Sequence, residues 1–410
     1  MRVLIVSQYY WPENFLINDL TSLLAAAGLE VTVLTGKPNY PEGDFFAGYR
    51  SWGVQREFHD GVSIVRVPIA RRGKQSRIRL AMNYASFIIA ASTLGLWSIR
   101  RQKYDVVFVY APSPLLQALP ALLFARMNNA KLFVWVQDLW PESLSATGYL
   151  KNAVIMKFVA ALVRLIYISS DRILVQSEAF VDRVAQYTER RKIRYFPNLY
   201  RPAATQEPSD RAKRLAADMM NSFAVVFAGN LGAAQSLDTI IDAAEQLKAR
   251  CDIRFYIIGS GSRGQWLAKQ VKDRDLSNVE LCGRFEASDM PALLQAAGSL
   301  LVTLAADEIF ALTVPSKLQA YLSAGKCIIA SINGEGARIV DAARAGLVSA
   351  SEDAGALAKS IETMADLPVE ERNSMGARGA AYFEANFSAD MLTRDLIGQF
   401  RELAGKEEAI

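Results

Sequence analysis

Apolar runs typical of buried strands alternate with helical segments along most of this 410-residue chain. Near the start, the run RVLIVSQ is followed by the helical segment INDLTSLLAAAG, which ends at Gly28, and then by the run EVTVLTG. Continuous apolar runs are typical of parallel strands covered on both faces, and parallel strands need a crossover connection between them. Later runs, among them YDVVFVYAPS and RILVQSEAF, repeat the pattern. The alternation predicts an α/β fold with parallel sheets.

A proline-containing segment divides this alternation into two series. Residues 196–211 contain three prolines and no sustained apolar period, which is typical of a linker. A second series starts with FAVVFAGNLG and runs to a helical end of the chain. We therefore expect two Rossmann-like, doubly wound domains that face each other across a cleft, where the active site would lie. Their expected bounds are 1–200 and 201–385, with a helix in 386–410 that packs back on the first domain.

Charge and cysteine content limit the partners and the compartment. A net charge of +4 is too small to indicate nucleic acid, and aromatic and basic residues do not interleave as in RNA-binding sequences. Cys251, Cys282 and Cys327 lie far apart, each within or beside an apolar run, so neither a disulfide framework nor a CxxC metal site is indicated. We expect three buried thiols in a reducing cytoplasm. The first apolar run is too short for a signal peptide.

One basic stretch could touch a membrane. No acidic residue occurs between Arg66 and Lys103, and the cations flank the apolar segment 80–99. This segment is long enough to span a bilayer, for which about 20 helical residues suffice. Polar residues dilute this segment, which leaves three alternatives: a transmembrane helix, a buried helix packed on a sheet, and an apolar face rimmed by cations on an anionic membrane. The cations are Arg66, Arg71, Arg72, Lys74, Arg77, Arg79, Arg100, Arg101 and Lys103.

Segment 152–170 supports the third alternative. Lys157 and Arg164 are seven residues apart and share one helical face. An apolar set recurs at helical spacing on another face, namely Ile155, Phe158, Leu162 and Ile166. We expect a peripheral position on the cytoplasmic face of the cell membrane.

Two motifs could carry other chemistry. Gly259, Gly261 and Gly264 satisfy G-x-G-x-x-G between a strand-like run and a helix, and Glu280 follows at about the spacing of a dinucleotide site. Glu280, however, lies inside its run and not at its end, so a turn that binds or borders phosphate is favoured over a nicotinamide site. His59, the only histidine, precedes Asp60 in a turn sequence, where we expect its side chain to be exposed. No histidine-dependent triad or multi-histidine metal site can therefore be built outside this one position, and we expect proton transfer to fall to carboxylates, Lys, Tyr or the substrate.

Several motifs together resemble a known enzyme family. They are NYPEGDFFAGYR (39–50), QDLWPESL (137–144), ILVQSEAF (173–180), FAGNLGAAQSLDTIIDAA (227–244), GSGS (259–262) and VPSKLQAYLSAGK (314–326). With these motifs the chain resembles the retaining glycosyltransferases of family 4, which have the GT-B fold. Within them it is similar to the bacterial branch that contains N-acetyl-L-fucosamine transferases of O-antigen and capsule assembly.

The resemblance implies a nucleotide diphosphate sugar bound mainly by the second domain. It implies a lipid-linked saccharide acceptor, of the undecaprenyl diphosphate type, on the first domain. Catalysis would be mostly electrostatic, without a cofactor or a metal, because stabilising the departing diphosphate is the main task. A nucleotide-sugar epimerase of the same architecture is the alternative enzyme, and an NAD(P)-dependent oxidoreductase is a remoter one.

The chain departs from the family pattern at two charged positions. Many members have a cation in the glycine-rich loop where this chain has Gln235, and many have a second glutamate where it has Ser316, eight residues after Glu308. Lys317 stands beside the missing glutamate, although a helix N-terminus ordinarily favours negative side chains. We therefore expect Lys317, the helix N-terminus and Arg263 to bind the diphosphate.

The remaining site residues follow from their positions and from the resemblance. Candidate catalytic residues are Lys317, Glu308 and Asp138, and structural capping is an alternative role for Asp138. We expect Glu13, Asn14 and Glu142 near the acceptor. Gly283 and Arg284 are expected near the nucleobase, and Glu335 near the donor sugar. Further expected donor contacts are Gly229, Asn230, Gln235, Gly259, Gly261, Pro315 and Ser316.

Overall fold

The chain divides into two units, which a computed structural model describes for residues 1–73, 76–146, 152–202 and 206–405. Unit 1 comprises Met1–Leu199 and Ala389–Ile410, and unit 2 comprises Tyr200–Ser388. Lys74, residues 203–205 of the expected linker and residues 406–410 of the expected last helix lie outside the described residues. The α/β class expected from the sequence is confirmed in both units.

Unit 1 is built on an eight-stranded sheet. Its strands are β1 (Arg2–Val6), β2 (Glu30–Gly36), β3 (Gln55–His59), β4 (Val62–Val67), β5 (Val106–Ala111), β6 (Lys131–Val136), β7 (Arg172–Val175) and β8 (Ile193–Tyr195). They are arranged in the order β3-β4-β2-β1-β5-β6-β7-β8, and all the pairs are parallel except the hairpin β3–β4. The central strands are buried on both faces, as their continuous apolar sequences predict.

Helices cover both faces of this sheet. They are α1 (Leu16–Ala26), α2 (Arg77–Ala90), α3 (Leu96–Ile99), α4 (Leu119–Asn128), α5 (Glu142–Ala146), α6 (Ala153–Ser169) and α7 (Phe180–Val184). A π-helical turn, Ala91–Gly95, joins α2 to α3. On one face, Ile17 of α1 packs in a core with Phe108 and Phe133 of the sheet. On the other face, the close approach of Gly95 to Leu34 brings the α2–α3 segment against β2.

Unit 2 has a six-stranded, fully parallel sheet. Its strands are β9 (Phe223–Ala228), β10 (Ile253–Ile258), β11 (Val279–Gly283), β12 (Ser299–Thr303), β13 (Ile328–Ser331) and β14 (Gly346–Ser349), in the order β11-β10-β9-β12-β13-β14. Its helices are α8 (Asp210–Met219), α9 (Leu237–Gln246), α10 (Gly264–Asp273), α11 (Met290–Ala296), α12 (Glu308–Leu312), α13 (Ser316–Ser323), α14 (Glu335–Ala343), α15 (Ala354–Asp366) and α16 (Val369–Asn386). Separate apolar cores fill its two faces.

The last helix, α17 (Ala389–Ala404), belongs to unit 1. Its Phe400 is fully buried, with ring centroids 4.8 Å from Phe133 and 5.9 Å from Phe108. Leu392 and Leu396 join the same core as α1. The chain therefore returns to unit 1 after completing unit 2.

Three local expectations need correction. The expected linker 196–211 is not free of packed structure, because Phe196 is buried in the core of unit 1 and α8 begins at Asp210. Cys251 is exposed, since it lies in the turn before β10 and not within the strand. His59 ends β3 at the Asp60 turn as expected, but its ring stacks on Trp11 at 3.9 Å, which leaves its side chain one-third exposed.

Candidate functional site

The candidate donor site lies at the carboxyl edge of the unit 2 sheet. The strand order reverses at β9, which has β10 on one side and β12 on the other, and ligands of open parallel sheets bind at such reversal points. A cavity of 380 Å³ opens there, beyond the ends of β9 and β10. Of the residues expected to contact the donor, it is lined by Gly229, Asn230, Gly259, Arg284 and Lys317.

Two glycine turns shape one wall of this cavity. The Gly229 N–H donates to the carbonyl of Ile258, and the Gly259 N–H donates to that of Gly283. Gly259 has φ 143°, and a Cβ on it would lie 1.8 Å from the carbonyl oxygen of Gly229. Only glycine allows this approach of the two turns, so the G-x-G-x-x-G match is explained by backbone packing beside the cavity. Glu280 binds Arg254 at 3.1 Å and does not line the cavity.

We expect Gly259→Ala to destabilise unit 2 by about 3 kcal/mol or more, because backbone strain and overlap with the Gly229 carbonyl act together. Gly264→Ala is the matched control from the same motif, since the nearest atom to its added Cβ is 3.9 Å away. We expect the control to change stability by less than about 1 kcal/mol. Urea unfolding followed by circular dichroism measures both, and similar stabilities for the two variants would contradict the packing explanation.

Lys317 projects toward the glycine turns from the first turn of α13. Its helix starts after Pro315, whose fixed φ suits the residue that precedes the first turn and whose side chain makes no capping hydrogen bond. The Lys317 ammonium hydrogen-bonds Oε1 of Gln235 and lies 3.7 Å from the centroid of the Phe227 ring. The structure thus places Lys317, the neighbour of Ser316, against Gln235, one of the two positions at which the sequence departs from the family pattern.

The surroundings of Lys317 are poor in compensating charge. Burial lowers the pKa of its ammonium from the usual range of lysine to about 7. The neutral amide of Gln235 and the π face of Phe227 are weaker partners for a cation than a carboxylate would be. A cation held in this way has unused capacity to bind an anion, and the nearby Gly229 leaves space, since a Cβ there would come within 3.2 Å of Nζ.

Four further side chains of the cavity lining, which are largely apolar, were not predicted from the sequence. They are Tyr200, Phe285, Met290 and Leu294. Phe285 directly follows Arg284, which was expected to contact the nucleobase. An aromatic ring at this position could therefore have been predicted to line the same site. Tyr200 had no such signal, because it enters the site through the pairing of its N–H with the carbonyl of Phe387 at the end of α16.

Several expected donor residues lie elsewhere in unit 2. Both terminal nitrogens of the Arg263 guanidinium bind the carboxylate of Asp238, Nη2 at 3.1 Å from Oδ1. The same guanidinium stacks on the ring of Trp266. Glu335 is buried at the start of α14 and binds Arg338. Glu308 is exposed at the start of α12. None of these three side chains lines the cavity, and neither do Gly261, Gly283, Gln235, Pro315 and Ser316.

A second polar cluster lies at the carboxyl edge of the unit 1 sheet. Asp138, just after β6, accepts hydrogen bonds from the Ser143 hydroxyl at 3.0 Å and the Trp140 indole at 3.3 Å. Burial is the main cause that raises the pKa of the Asp138 carboxyl, and the charge of Glu142 adds to it. Glu142 accepts a hydrogen bond from the Tyr187 hydroxyl. A partly buried carboxyl with a raised pKa is suited to accept a proton.

Glu13 is held tightly in the loop after β1. Its carboxylate accepts hydrogen bonds from the backbone N–H groups of Asn39 and Tyr40, both at 2.7 Å, and from that of Tyr10. Burial raises its pKa to about 7 despite these donors. Glu13 therefore joins the loops after β1 and β2, whereas the neighbouring Asn14 is exposed.

Family models match both units. The model described as "Glycosyl transferase 4-like domain" matches residues 16–199, and "Glycosyl transferases group 1" matches residues 222–366. The protein is a family 4-like glycosyltransferase. One relative of this glycosyltransferase is the putative colanic acid biosynthesis glycosyl transferase WcaI of Escherichia coli (strain K12), which is 26% identical over 340 residues, or 79% of this chain and 82% of WcaI.

Solved structures confirm the GT-B fold of this glycosyltransferase. Sucrose-phosphate synthase from Thermosynechococcus elongatus is 16% identical with a TM-score of 0.73, covering 99% of this chain and 100% of that one. Anabaena HepE in complex with UDP is 14% identical with a TM-score of 0.67, covering 98% and 100%. An Escherichia coli trehalose-6-phosphate enzyme bound to UDP-2-fluoro glucose is 14% identical with a TM-score of 0.68, covering 98% and 99%.

Metal-ligating side chains do not cluster in the part of this glycosyltransferase that the structure describes. No group of three or more His, Cys, Asp or Glu residues among these residues could hold a metal ion. The cation that faces the glycine turns is Lys317.

Proposed function

We propose that this glycosyltransferase transfers a sugar, with retention of configuration, from a UDP-linked donor to a lipid-linked saccharide in surface polysaccharide synthesis. The donor sugar is an N-acetylated amino or deoxyamino hexose such as N-acetyl-L-fucosamine. The acceptor is of the undecaprenyl diphosphate type, the reaction needs no metal, and the enzyme works at the cytoplasmic face of the cell membrane. O-antigen, other lipopolysaccharide or capsule would be the product.

The mixed lining of the unit 2 cavity is the observation that carries this proposal. Its apolar side chains, among them Phe285 and Leu294, suit a nucleobase, and its glycine turns and the ammonium of Lys317 suit a diphosphate. Charge that develops on the departing diphosphate would be stabilised by an ammonium already in place, which is the usual source of a large catalytic effect. UDP or a UDP sugar occupies several similar structures, which supports uracil as the base.

The acceptor half of the proposal is supported from unit 1. Asp138 and Glu142 lie at the carboxyl edge of its sheet, where they could bind or deprotonate an incoming hydroxyl. The relative WcaI is described as acting in the biosynthesis of colanic acid, a polysaccharide, which agrees with a saccharide acceptor.

Ligand-dependent unfolding tests the donor assignment. We expect UDP sugars at about 100 times Kd to raise the Tm by roughly 5–10 °C, because a ligand that binds only the native state stabilises it by about 2.7 kcal/mol at that concentration. GDP sugars serve as the control and should leave the Tm nearly unchanged. Stabilisation by GDP sugars alone would contradict the choice of uracil, and no stabilisation by either would contradict the donor site.

A product assay tests the reaction class. Incubation with a UDP sugar and a short-chain diphosphate-linked saccharide should give a lengthened saccharide and UDP. Conversion of the UDP sugar to an epimer without acceptor would instead show an epimerase. A change in NAD(P)H fluorescence on mixing with the protein would favour an oxidoreductase.

A further inference from the structure

Three helices of unit 1 expose apolar side chains side by side. Helix α4 contacts both α2 and α6, and it packs on strands β5 and β6. Ile78, Met82, Ile89 and Trp97 recur at helical spacing along the α2–α3 segment, and Trp97 is 64% exposed. Leu123 and Met127 are exposed on α4, and Val154, Ile155, Phe158, Leu165 and Ile168 are exposed on α6. These residues are here called the apolar face. An exposed apolar patch of this extent indicates an interaction site.

The α2–α3 segment cannot cross a bilayer while it is packed in unit 1. Ile78–Ile99 is long and apolar enough to span a membrane by length and composition, and 28% of its most apolar window is buried. Phe87 and Ile99 on its inner side are buried. The side chain of buried Asn83 accepts a hydrogen bond from the Gln8 amide and donates one to the carbonyl of Ala70, both at 2.6 Å. The inner side of the segment is thus packed against the rest of unit 1, and only its outer side can contact a membrane.

The α6 segment shows the same division, with a shift from the stripe expected from sequence. Ile155 and Phe158 are exposed as part of the apolar face, but Ile166 of the expected stripe is fully buried. Lys157 and Arg164 are exposed beside the apolar face. Helix α6 therefore packs through one side and presents apolar and cationic side chains on the other.

Charge on these helices has a single sign. Residues 77–103, 115–128 and 153–169 contain no Asp or Glu. Seven of their cations are exposed and make no ion pair with a carboxylate of the described residues, namely Arg79, Arg100, Arg101, Lys103, Arg126, Lys157 and Arg164. The Arg100 guanidinium lies 4.2 Å from the centroid of the Trp97 ring. Trp and Arg side chains that lie together are favoured at the boundary between apolar chains and lipid headgroups.

We infer that the apolar face is a docking surface for an anionic phospholipid bilayer, in which α2, α4 and α6 lie in the plane of the headgroups. The apolar side chains enter the acyl boundary and the seven cations bind lipid phosphates. The biological reason for this contact rests on the proposed function, since a lipid-linked acceptor would be presented at the same surface. Binding to lipid itself follows from the apolar and cationic side chains alone.

Vesicle sedimentation with the full chain tests this inference. We expect strong binding to vesicles that mix phosphatidylglycerol with phosphatidylcholine, weak binding to phosphatidylcholine alone, and release by high salt. Combined removal of one cation from each helix region should weaken binding about 100-fold, because each cation near an anionic surface contributes roughly fivefold. This variant carries Arg100→Gln, Arg126→Gln and Arg164→Gln. Phe158→Ser and Trp97→Ser should each weaken binding about tenfold.

Matched variants on unit 2 provide the controls. Met220→Ser removes a side chain that is 71% exposed, and it should leave vesicle binding unchanged. So should the combined loss of three exposed lysines, through Lys213→Gln, Lys248→Gln and Lys269→Gln. Circular dichroism should show the same helix content in all variants, since the changed side chains are exposed.

Four outcomes would overturn the inference. The first is that the wild type does not bind anionic vesicles, and the second is that the unit 2 control variants lose as much vesicle binding as the unit 1 variants. The third is that only detergent, and not high salt, releases the protein from cell membranes. The fourth is that the protein sediments as a dimer and that Phe158→Ser makes it monomeric. Turnover with a short-chain soluble acceptor separates this inference from the proposed function. If turnover fails but vesicle binding depends on the apolar face, the function is wrong and the docking surface remains.

Discussion

Lys317→Met should lower kcat by about 10²–10³-fold while the protein stays folded. Methionine keeps the length and the apolar stem of the side chain but removes the ammonium that lies over Phe227. The lost term is stabilisation of charge on the departing diphosphate, so kcat should fall more than donor affinity. Steady-state kinetics with saturating acceptor measures the change.

The pH dependence of donor binding gives a second measurement of the same residue. Because burial lowers the pKa of Lys317 to about 7, the ligand-free protein loses this charge above that pH. A bound diphosphate would favour the charged form, so binding should take up a proton, and affinity should fall by up to about tenfold per pH unit above 7. Calorimetry of UDP binding in buffers of different ionisation enthalpy detects the proton, and Lys317→Met should abolish its uptake.

The lowered pKa of Lys317 has the opposite effect on the stability of the ligand-free protein, which rises with pH where donor affinity falls. Between the folded pKa of about 7 and the ordinary lysine value of 10.5, the unfolded chain holds a proton that the folded chain lacks. The Lys317 contribution therefore increases the free energy of unfolding as pH rises through this window. Lys317→Met should be at least as stable as the wild type at neutral pH, which excludes unfolding as the cause of lost turnover.

Lys272→Met is the control for general effects of removing a lysine. Lys272 lies in the last turn of α10, where its side chain is exposed and does not line the cavity. Its loss should change neither kcat nor the pH dependence of binding. Near-normal turnover of Lys317→Met, or the same proton uptake in it as in the wild type, would contradict the assignment.

The fold was predictable because its signals are local. Strands buried on both faces need continuous apolar sequences, as in VVFVYA of β5 and IRFYII of β10, and crossover helices must separate parallel strands. The glycine turns could also be found from the sequence, because the close approach of Gly259 to the adjacent turn leaves no room for a side chain and so requires glycine. Phe196 in the expected linker was misjudged because its burial depends on Trp135, 61 residues earlier, whose indole donates to its carbonyl.

The site was less predictable because side-chain partners are set by tertiary contacts. Arg263 follows the glycine turn as a phosphate ligand would, yet its guanidinium binds Asp238 on α9. Nothing local distinguishes these two uses of an arginine. The role expected for Lys317 depended on the resemblance, because it rested on a cation that the family has at the position of Gln235. The contact between these two side chains, which are 82 residues apart in the sequence, was not predicted. Tyr200 enters through a backbone pairing that no side-chain motif encodes.

Asp138→Asn is the second substitution for which we expect a large effect, a loss of about 10²–10⁴-fold in kcat. Asparagine preserves the size of the side chain and can still accept the hydrogen bond from Ser143, but it cannot take the proton of an acceptor hydroxyl. Because burial raises the pKa of Asp138, the acid limb of the pH–rate profile should lie above the range of an ordinary aspartate, with turnover rising as Asp138 loses its proton. The variant should lose that limb.

Asp171→Asn separates catalysis from support of the same strand. Asp171 accepts a hydrogen bond from the Leu132 N–H at 2.8 Å, at the opposite end of β6 from Asp138. If Asp138 only stabilises its turn, both variants should lose stability and keep the wild-type pH–rate profile. If Asp138 accepts the proton, Asp171→Asn should keep nearly full turnover and Asp138→Asn should not. Near-normal turnover of Asp138→Asn would place the proton on an oxygen of the donor diphosphate, and Lys317 would then stabilise the group that accepts it.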